Sequence, residues 1–334
     1  MTDFWRGKRV LVTGGSGFIG SHLVRKLAGL GAEVTAAVYG MELAAGGVGM
    51  PAIPGVLFRS ADLTHLEQCM ELCRDQSAVF SIAHADGSLA FKKARPAYIL
   101  RQNTLITLNM LDAAVARGVD RFLLASSAEV YPHDAVSPTV EDEAFRNMSD
   151  RLTDGYTWSK RISELAARIY VQEHGLKVAI ARPNNVYGPK DYFDEARGRV
   201  IPMFIKRAVE GTEPILIWGT GETVRTFLYV DDLVRGLLDL LEKYPECDPV
   251  NLGGDEEITL RALAETVVRL SGRDVRIVCD TTKPSGAARR MSDISKARRV
   301  LGFQPTVSLE AGLKLTLDSY LSETQGGAAA AIRS

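Results

Sequence analysis

A tyrosine and a lysine one helical turn apart are the residues of this sequence that best suit proton transfer. Tyr156 and Lys160 lie in the run YTWSK, at the start of a segment whose apolar spacing predicts a helix. Residues four apart lie on one face of a helix, so the phenol and the ammonium should project together. The lysine charge favours the phenolate, because the ordinary tyrosine pKa of about 10 is too high for a base at neutral pH. We therefore predict a proton shuttle, with a chance occurrence of this common spacing as the alternative.

A serine at the end of a predicted strand supplies a hydrogen-bonding group for the same reaction. Ser127 lies in the run ASSAEVY, where an apolar segment ends in hydroxyl side chains. Ligands of doubly wound sheets bind at the carboxyl ends of the parallel strands. We expect Ser127 to hydrogen-bond the oxygen that is oxidised; the alternative is that these serines only cap the strand.

A glycine-rich segment near the amino end predicts a second ligand. The run VLVTGGSGFIG, residues 10–20, changes from a strand-like pattern to glycines and then to helical spacing. Gly14, Gly17 and Gly20 follow each other at intervals of three residues. Without a Cβ atom the turn can approach a pyrophosphate, whose charge is then held at the helix N-terminus. The pattern predicts a bound dinucleotide, unless the turn has only a structural role.

Alternating strands and helices must bring these residues together. After the first strand and helix, strand-like runs occupy residues 33–38, 56–59, 79–83, 122–125 and 178–181. Helical spacing occurs over residues 66–74, 98–117 and 156–174. Six strands separated by helices predict an α/β fold with a doubly wound parallel sheet. The two long helices carry more apolar residues than one sheet face can bury, which predicts either a homodimer through them or a larger internal core.

The alternation ends near residue 183, which predicts a second domain on the substrate side. A polar loop is followed by helical spacing over residues 202–210, a strand at 215–218 and another helix at 231–242. We assign residues 1–182 to a dinucleotide-binding domain, to which residues 225–250 return. Residues 183–224 and 251–325 are assigned to the substrate-binding domain. The alanine- and glycine-rich tail, residues 326–334, is expected to be disordered.

The composition favours a globular protein that acts on a small molecule. Of the 334 residues, 46% are apolar and 24% are charged, which is ordinary for a chain that folds around a sizeable core. The net charge of −1 and the absence of a basic run argue against nucleic acid or an anionic membrane as partner. No apolar run reaches the length of a membrane span and no signal-peptide pattern is present, so a cytoplasmic location is expected. The four cysteines are not arranged at metal-ligand spacing and are expected to be reduced and structural, with no bound metal.

These motifs together resemble those of a known enzyme family. TGGSGFIG at residues 13–20, ADL at 61–63, the Ser127, Tyr156 and Lys160 set, RPNNVYGP at 182–189 and RTFLYVDDL at 225–233 are similar to the extended short-chain dehydrogenase/reductases that act on nucleotide sugars. The resemblance covers residues 8–322. It implies a Rossmann domain that binds NAD(P) and a C-terminal domain that binds a nucleoside-diphosphate sugar.

The resemblance also implies roles for individual residues. The residues expected to bind the cofactor are Gly14, Gly17, Phe18, Ile19, Gly20, Asp62 and Leu63, together with Tyr156 and Lys160. The residues expected to bind the diphosphate of the sugar nucleotide are Asn185, Arg225 and Arg289, with Arg290 as an alternative to Arg289. A guanidinium suits this role because it donates two hydrogen bonds to one phosphate.

Two positions depart from the branch of the family that this chain most resembles. GPKDYFD at 188–194, RVIP at 199–202 and WGTG at 218–221 are most similar to the GDP-fucose synthase and GDP-mannose 3,5-epimerase branch. The acid/base cysteine and histidine of that branch are replaced by Glu129 and Arg199. In a strand-like geometry Glu129 would share a face with Ser127, so it could remove a proton next to a ketone, steer a substrate carboxylate or only hydrogen-bond a loop. We include Arg199 among the substrate-binding residues, as a proton donor or charge partner of Glu129.

The motifs leave the cofactor and one histidine open. Val38, Tyr39 and Gly40 offer neither a carboxylate for a ribose 2′-hydroxyl nor an arginine for a 2′-phosphate, so these residues leave the choice of cofactor open. We expect NAD, with NADP not excluded. His84 is displaced from its place in the family and either faces the substrate or fills a polar corner.

We predict a nucleotide-sugar epimerase that works through a transient 4-keto intermediate. The alternatives are a sugar-uronate decarboxylase, which the Ser-Ala-Glu run at residues 127–129 resembles in part, and a 4-keto-sugar reductase. A dinucleotide-sensing protein without turnover is a further alternative from another class, although it would have no need of the Ser127, Tyr156 and Lys160 set.

Overall fold

A computed structural model describes residues 3–40, 53–87, 89–147, 152–195, 197–211, 214–283 and 287–331. Its strands are β1 Arg9–Thr13, β2 Glu33–Val38, β3 Val56–Ser60, β4 Ala78–Ser81, β5 Arg121–Ala125, β6 Lys177–Pro183, β7 Val186–Tyr187, β8 Ile215–Trp218, β9 Val224–Arg225, β10 Leu228–Tyr229, β11 Val250–Leu252, β12 Ile258–Thr259, β13 Ile277–Asp280 and β14 Arg289–Arg290. Its α-helices are α1 Phe18–Gly29, α2 Leu66–Leu72, α3 Leu89–Ala94, α4 Pro96–Ala116, α5 Gly155–His174, α6 Val200–Glu210, α7 Val230–Lys243, α8 Leu260–Ser271, α9 Ser295–Leu301 and α10 Leu309–Ala331.

A seven-stranded parallel sheet forms the centre of the molecule, with the strand order β11-β6-β5-β4-β1-β2-β3. The order reverses between β1 and β4, and ligands of such sheets bind in the crevice at the carboxyl ends of these strands. The predicted doubly wound sheet is confirmed. The six predicted strands agree with β1 to β6, with ends that differ by up to two residues. The seventh strand, Val250–Leu252, was not predicted, because three residues are too few to show a period.

Apolar cores cover both faces of this sheet. In β1, Val10 and Val12 belong to one core whereas Leu11 belongs to the other. A strand buried on both faces reads as a continuous apolar run, which explains the pattern seen before the glycines. Helix α7 packs on α1 and β6, while α4 and α5 pack together on the opposite face.

The carboxyl-terminal half adds three small sheets: β7 with β10, β8 with β13, and β9 between β12 and β14. Helix α10 is assigned from Leu309 to Ala331, and the disorder expected for the tail from residue 326 stays a prediction. Alanine has the highest helix propensity, which lets the four alanines extend the helix beyond its two glycines. Residues 332–334 lie outside the described residues.

The four cysteines all lie in the described part of the chain, and none of them forms a disulfide. Cys69, Cys73, Cys247 and Cys279 are free thiols, and the first three are buried. Burial raises the pKa of both Cys69 and Cys73 to about 12, which suits inert side chains. Within the described ranges, no helix is both long and apolar enough for a membrane span, and no cluster of three or more His, Cys, Asp or Glu residues could hold a metal.

Candidate functional site

The glycine-rich turn between β1 and α1 has the shape of a phosphate-binding loop. Gly14 has a φ of +67°, a left-handed conformation that favours glycine. A Cβ atom at Gly20 would collide with the carbonyl oxygen of Gly14, so the helix can approach the turn only with glycine there. Gly17 precedes the first residue of α1 and no side chain caps this end. The backbone N–H groups at the helix N-terminus therefore remain available to an anion, and the turn fits the pyrophosphate of a dinucleotide.

The other predicted cofactor residues lie around the same edge of the sheet. Phe18 is buried and Ile19 is half-buried at the start of α1. The Asp62 carboxylate accepts hydrogen bonds from the Thr64 hydroxyl at 2.7 Å and from the Thr64 N–H at 2.9 Å, and these lower its pKa. Leu63 is buried and its carbonyl accepts a hydrogen bond from Asn109 at 3.0 Å.

The part of the cofactor site that would distinguish NAD from NADP is described only up to Gly40. Tyr39 is 81% exposed at the end of β2, and residues 41–52 lie outside the described residues. The expectation of NAD at this position therefore depends on the sequence and on the family described below.

Tyr156 and Lys160 lie buried in the first two turns of α5, whose N-terminus is fixed by a capping side chain. The Asp154 carboxylate accepts hydrogen bonds from the N–H groups of Tyr156 at 3.1 Å and Thr157 at 3.0 Å. Lys160 donates from Nζ to the carbonyl of Ala125 at 2.7 Å, which joins α5 to the end of β5. These contacts place both side chains at the carboxyl edge of the sheet, as predicted.

Burial changes the protonation of this pair. Desolvation raises the pKa of Tyr156 far above its ordinary value, and the charge of Asp86 raises it further, while a hydrogen bond with Ser127 opposes the shift. Burial lowers the pKa of Lys160 to about 8. Burial therefore favours the protonated phenol of Tyr156, whereas the sequence pattern suggested that Lys160 would favour the phenolate.

Ser127 and Glu129 do not lie on a strand. Residues Ala128–Val130 form a 3₁₀ helix, and the Ser127 hydroxyl oxygen accepts a hydrogen bond from the Glu129 N–H at 3.1 Å. The strand-like geometry expected for this pair is wrong, because the serine caps the helical turn instead. Ser127 still reaches Tyr156, and the charge of Glu129 raises the pKa of Tyr156, so all three border one site.

The ion pairs of Glu129 and Arg199 differ from the predicted pair. Glu129 lies 3.4 Å from Arg290, measured from Oε1 to Nη2. Arg199 lies 3.9 Å from Asp191, and its guanidinium is 5.9 Å from the centre of the Phe18 ring. Glu129 and Arg199 therefore do not pair with each other, and each forms an ion pair with a different residue.

Two arginines meet where β9 and β14 pair. The register sets Arg290 opposite Arg225 and Arg289 opposite Val224, so that Arg225 and Arg290 share one face of this small sheet. Burial lowers the pKa of Arg225 and the neighbouring Arg290 lowers it further. Arg289 is instead bound by Glu257 through two hydrogen bonds. Arg290 is thus the arginine that lies beside Arg225, which was the alternative to Arg289 that the sequence left open.

Asn185 lies between β6 and β7, close to the strand that carries Arg225. It adopts a φ of +45° and donates from Nδ2 to the carbonyl of Thr226 at 2.9 Å. Asparagine tolerates this conformation better than most residues. The segment of Arg225 and the loop of Asn185 are therefore held together.

Three polar residues that follow β4 also lie close to Tyr156 or to each other beside it. His84 lies with its ring centre 6.0 Å from that of Tyr156, and Lys92 lies with Nζ 4.0 Å from the same ring centre. Asp86 lies between them, 2.7 Å from Lys92 and 3.5 Å from His84. Sequence reasoning noted His84 but missed Asp86 and Lys92, because charged residues in a polar loop are usually solvated.

Asp191 is a second residue that the sequence did not single out. Its side chain is fully buried, and its Oδ2 atom has no hydrogen-bond partner within the described part of the chain. Burial raises the pKa of Asp191 to about 6. The neighbouring Tyr192 hydroxyl lies 3.7 Å from the position of a Cβ atom on Gly17, so this loop borders the glycine-rich turn.

Comparison with known proteins agrees with this geometry. Residues 10–253 match the NAD dependent epimerase/dehydratase family. The dTDP-4-dehydro-6-deoxy-D-allose reductase of a Streptomyces species is 39% identical over 95% of this chain and 98% of its own length. GDP-L-fucose synthase 1 of Arabidopsis thaliana is 30% identical over 95% of this chain and 94% of its own length. The crystal structure of UDP-glucose 4-epimerase from Thermotoga maritima superimposes with a TM-score of 0.84 at 30% identity, covering 95% of this chain and 99% of that one. The chain is therefore a member of the NAD-dependent epimerase/dehydratase family of nucleotide-sugar enzymes.

Proposed function

We propose that this protein reduces the 4-ketone of a nucleoside-diphosphate 6-deoxyhexose, with a reduced nicotinamide as hydride donor. The observation that carries the proposal is the pairing around Tyr156. The neutral phenol of Tyr156 is in place beside Ser127, whereas Glu129 and Arg199 are each paired with another residue. Among the described residues, Glu129 and Arg199 do not form the acid/base pair that was expected for ring epimerisation, which supports reduction instead. The similarity to two Streptomyces dTDP-4-dehydro-6-deoxy-D-allose reductases supports the same reaction.

Each residue of the site has a defined role in this reaction. When bound, the reduced cofactor supplies a hydride to carbon 4 of the sugar. Ser127 donates a hydrogen bond to the ketone oxygen, and Tyr156 transfers its proton to that oxygen as the alcohol forms. Lys160 then stabilises the phenolate until Tyr156 takes a proton from water, so the net change is the addition of one hydride and one proton.

The substrate would be anchored by its diphosphate at the small sheet of β9 and β14. Arg225 and Arg290 share a face there, and each guanidinium can bind one phosphate through two hydrogen bonds. Asn185 lies next to the same strand through its bond to Thr226. The names of the two Streptomyces relatives contain dTDP, which supports this nucleotide, while GDP and UDP are the alternatives from the sequence.

A panel of nucleotide sugars tests this proposal. We expect 4-keto-6-deoxy sugars linked to dTDP, GDP or UDP to cause stoichiometric loss of nicotinamide absorbance, measured with NADH and with NADPH. Product structures are read by NMR. Interconversion of two sugars without net oxidation of the cofactor would instead identify an epimerase, and release of CO₂ from a uronate would identify a decarboxylase.

Epimerisation is a second candidate function, because the carboxylate of Glu129 lies close enough to Tyr156 for its charge to raise the pKa of the phenol. If Glu129 removes a proton from the carbon next to the 4-ketone, the reaction in D₂O places deuterium at carbon 3 or 5. The Glu129→Gln variant should then lose this label while hydride transfer at carbon 4 continues. A product free of carbon-bound deuterium excludes this role for Glu129.

A further inference from the structure

We propose that the ion pair of Asp86 and Lys92, in the segment between β4 and α4, is a positioning element that sets how strongly Tyr156 holds its proton. The inference rests on the proposed reductase function, in which Tyr156 is the proton donor. It depends on where the pair lies, on how its charges are balanced and on how the segment is fixed.

Lys92 lies on the aromatic ring of the catalytic tyrosine. Its Nζ atom is 4.0 Å from the ring centre of Tyr156, while that of Lys160 is 5.7 Å away. A cation near a ring is attracted to its π electrons, and the attraction is stronger when the ring belongs to a phenolate. A lone Lys92 would therefore favour loss of the proton from Tyr156.

Asp86 balances this charge. Its Oδ1 atom lies 2.7 Å from Nζ of Lys92, and its Oδ2 atom lies 3.5 Å from Nε2 of His84. Although burial raises the pKa of Asp86, the contacts with His84 and Lys92 outweigh this effect and hold the pKa below its ordinary value. Asp86 is thus ionised, and its charge raises the pKa of Tyr156. The carboxylate opposes the ammonium at the same ring.

The segment that carries this pair is fixed to the helix of Tyr156. Asn103 of α4 accepts a hydrogen bond from the Ala85 N–H at 2.6 Å and donates one to the Ala85 carbonyl at 3.1 Å. The same side-chain amide donates to the Ser159 hydroxyl of α5 at 3.3 Å. The distance between the ion pair and Tyr156 is therefore set by hydrogen bonds rather than by flexible side chains alone.

Other charged and polar groups also act on Tyr156, and they stay in place when the pair is changed. They are Lys160 on α5, Ser127 and Glu129 after β5, Arg199 before α6 and His84 after β4. Because the two members of the pair have opposite charges, removal of one leaves the other unbalanced. The two single variants should therefore shift the protonation of Tyr156 in opposite directions, a result that loss of local structure would not give.

The pH dependence of ketone reduction tests the proposal. In Asp86→Asn we expect the alkaline limb of kcat/KM to move about one pH unit lower, and in Lys92→Met about one unit higher, the low end of the range for charges at this distance. Lys93→Met, which changes the exposed neighbour on α3, is the control and should leave the limb unchanged. Lys160 shifts in the same directions, because Asp86 raises its pKa and Lys92 lowers it.

A second measurement identifies the titrating group without any substrate. In protein labelled with carbon-13 at the tyrosine Cζ, the Tyr156 resonance is assigned by its absence in Tyr156→Phe and is followed with pH. The phenolate signal should appear at a lower pH in Asp86→Asn than in the unchanged protein, and at a higher pH, or not before unfolding, in Lys92→Met. The proposal would be overturned if the two variants titrated at the same pH or shifted in the same direction. It would also be overturned if the phenol signal of Asp86→Asn persisted up to unfolding. Failure of the unchanged protein to reduce any 4-keto sugar would refute the proposed function and leave this second test valid.

Discussion

At the scale of single residues, the surroundings of Tyr156 decide the direction of proton transfer. The run YTWSK predicts a tyrosine and a lysine on one helix face, and the structure places both there. Their spacing carries no information on burial, which raises the pKa of Tyr156 and lowers that of Lys160 to about 8. Burial therefore favours the protonated phenol, the form that Tyr156 needs as the proton donor of the proposed reduction.

Replacement of the tyrosine tests its role directly. Tyr156→Phe should abolish turnover, because it removes the proton that ends on the sugar oxygen while the fold and the glycine-rich turn remain. Cofactor affinity, measured by calorimetry, should stay close to that of the unchanged protein. Retention of most of the original rate would show that another group donates the proton.

Asp191 provides a prediction about stability and pH. Its pKa is raised to about 6 in the folded protein, against 3.8 in an accessible carboxyl, so the unfolded state loses this proton first as pH rises. The folded protein therefore loses stability as the pH rises from 4 to 6. At pH 7 the free energy of unfolding of Asp191→Asn should be about 1–3 kcal/mol higher than that of the unchanged protein. Chemical denaturation at several pH values measures this gain, which should disappear below pH 4. A gain that is the same at all pH values would contradict the assignment.

At the scale of the elements, the sequence predicted the strands, turns and helices that are determined by residues close together in the chain. The β1 strand, glycine-rich turn and α1 helix were all predicted, because the change of period and the glycines lie within twenty residues. The 3₁₀ helix at Ala128–Val130 and the strand Val250–Leu252 were not, since one depends on the serine cap and the other on pairing with β6. The contact of Asp86 and Lys92 with Tyr156 depends on packing between distant elements, and no spacing in the sequence reveals it.

The pairing of β9 with β14 predicts which arginines bind the diphosphate. Arg225→Ala and Arg290→Ala should each weaken nucleotide-sugar binding by about 1.5–3 kcal/mol, the range for a charge-assisted hydrogen bond. Arg289→Ala is the matched control, because its side chain is bound by Glu257 on the other face. Calorimetry with the nucleoside diphosphate alone measures all three. Weaker binding only in Arg289→Ala would show that the diphosphate does not bind on the face that Arg225 and Arg290 share.

At the scale of the whole molecule, helix α5 retains an exposed apolar face. Leu165 and Ile169 of α5 are 52% and 50% exposed, and Trp158 and Ile162 precede them on the same face. Their spacing of three and four residues forms one stripe along the helix. The homodimer expected from the sequence stays a prediction, now with a defined surface.

Light scattering on single variants tests this dimer. Leu165→Glu should convert a dimer to monomers, because the charge would be buried in the interface. Leu315→Glu on α10 is the control, since this leucine is 48% exposed on another helix. A monomer in the unchanged protein, or a dimer in both variants, would refute the prediction that this face of α5 forms a dimer interface.

Transfer of an isotopic label from cofactor to sugar tests the central claim most directly. NADH that carries deuterium at the transferable position of the nicotinamide is incubated with a dTDP-linked 4-keto-6-deoxyhexose, and the product is analysed by NMR and mass spectrometry. We predict one deuterium at carbon 4, one NADH oxidised for each product molecule and no exchange at carbons 3 and 5. Recovery of the label in the cofactor while two sugars interconvert would contradict the account and identify an epimerase.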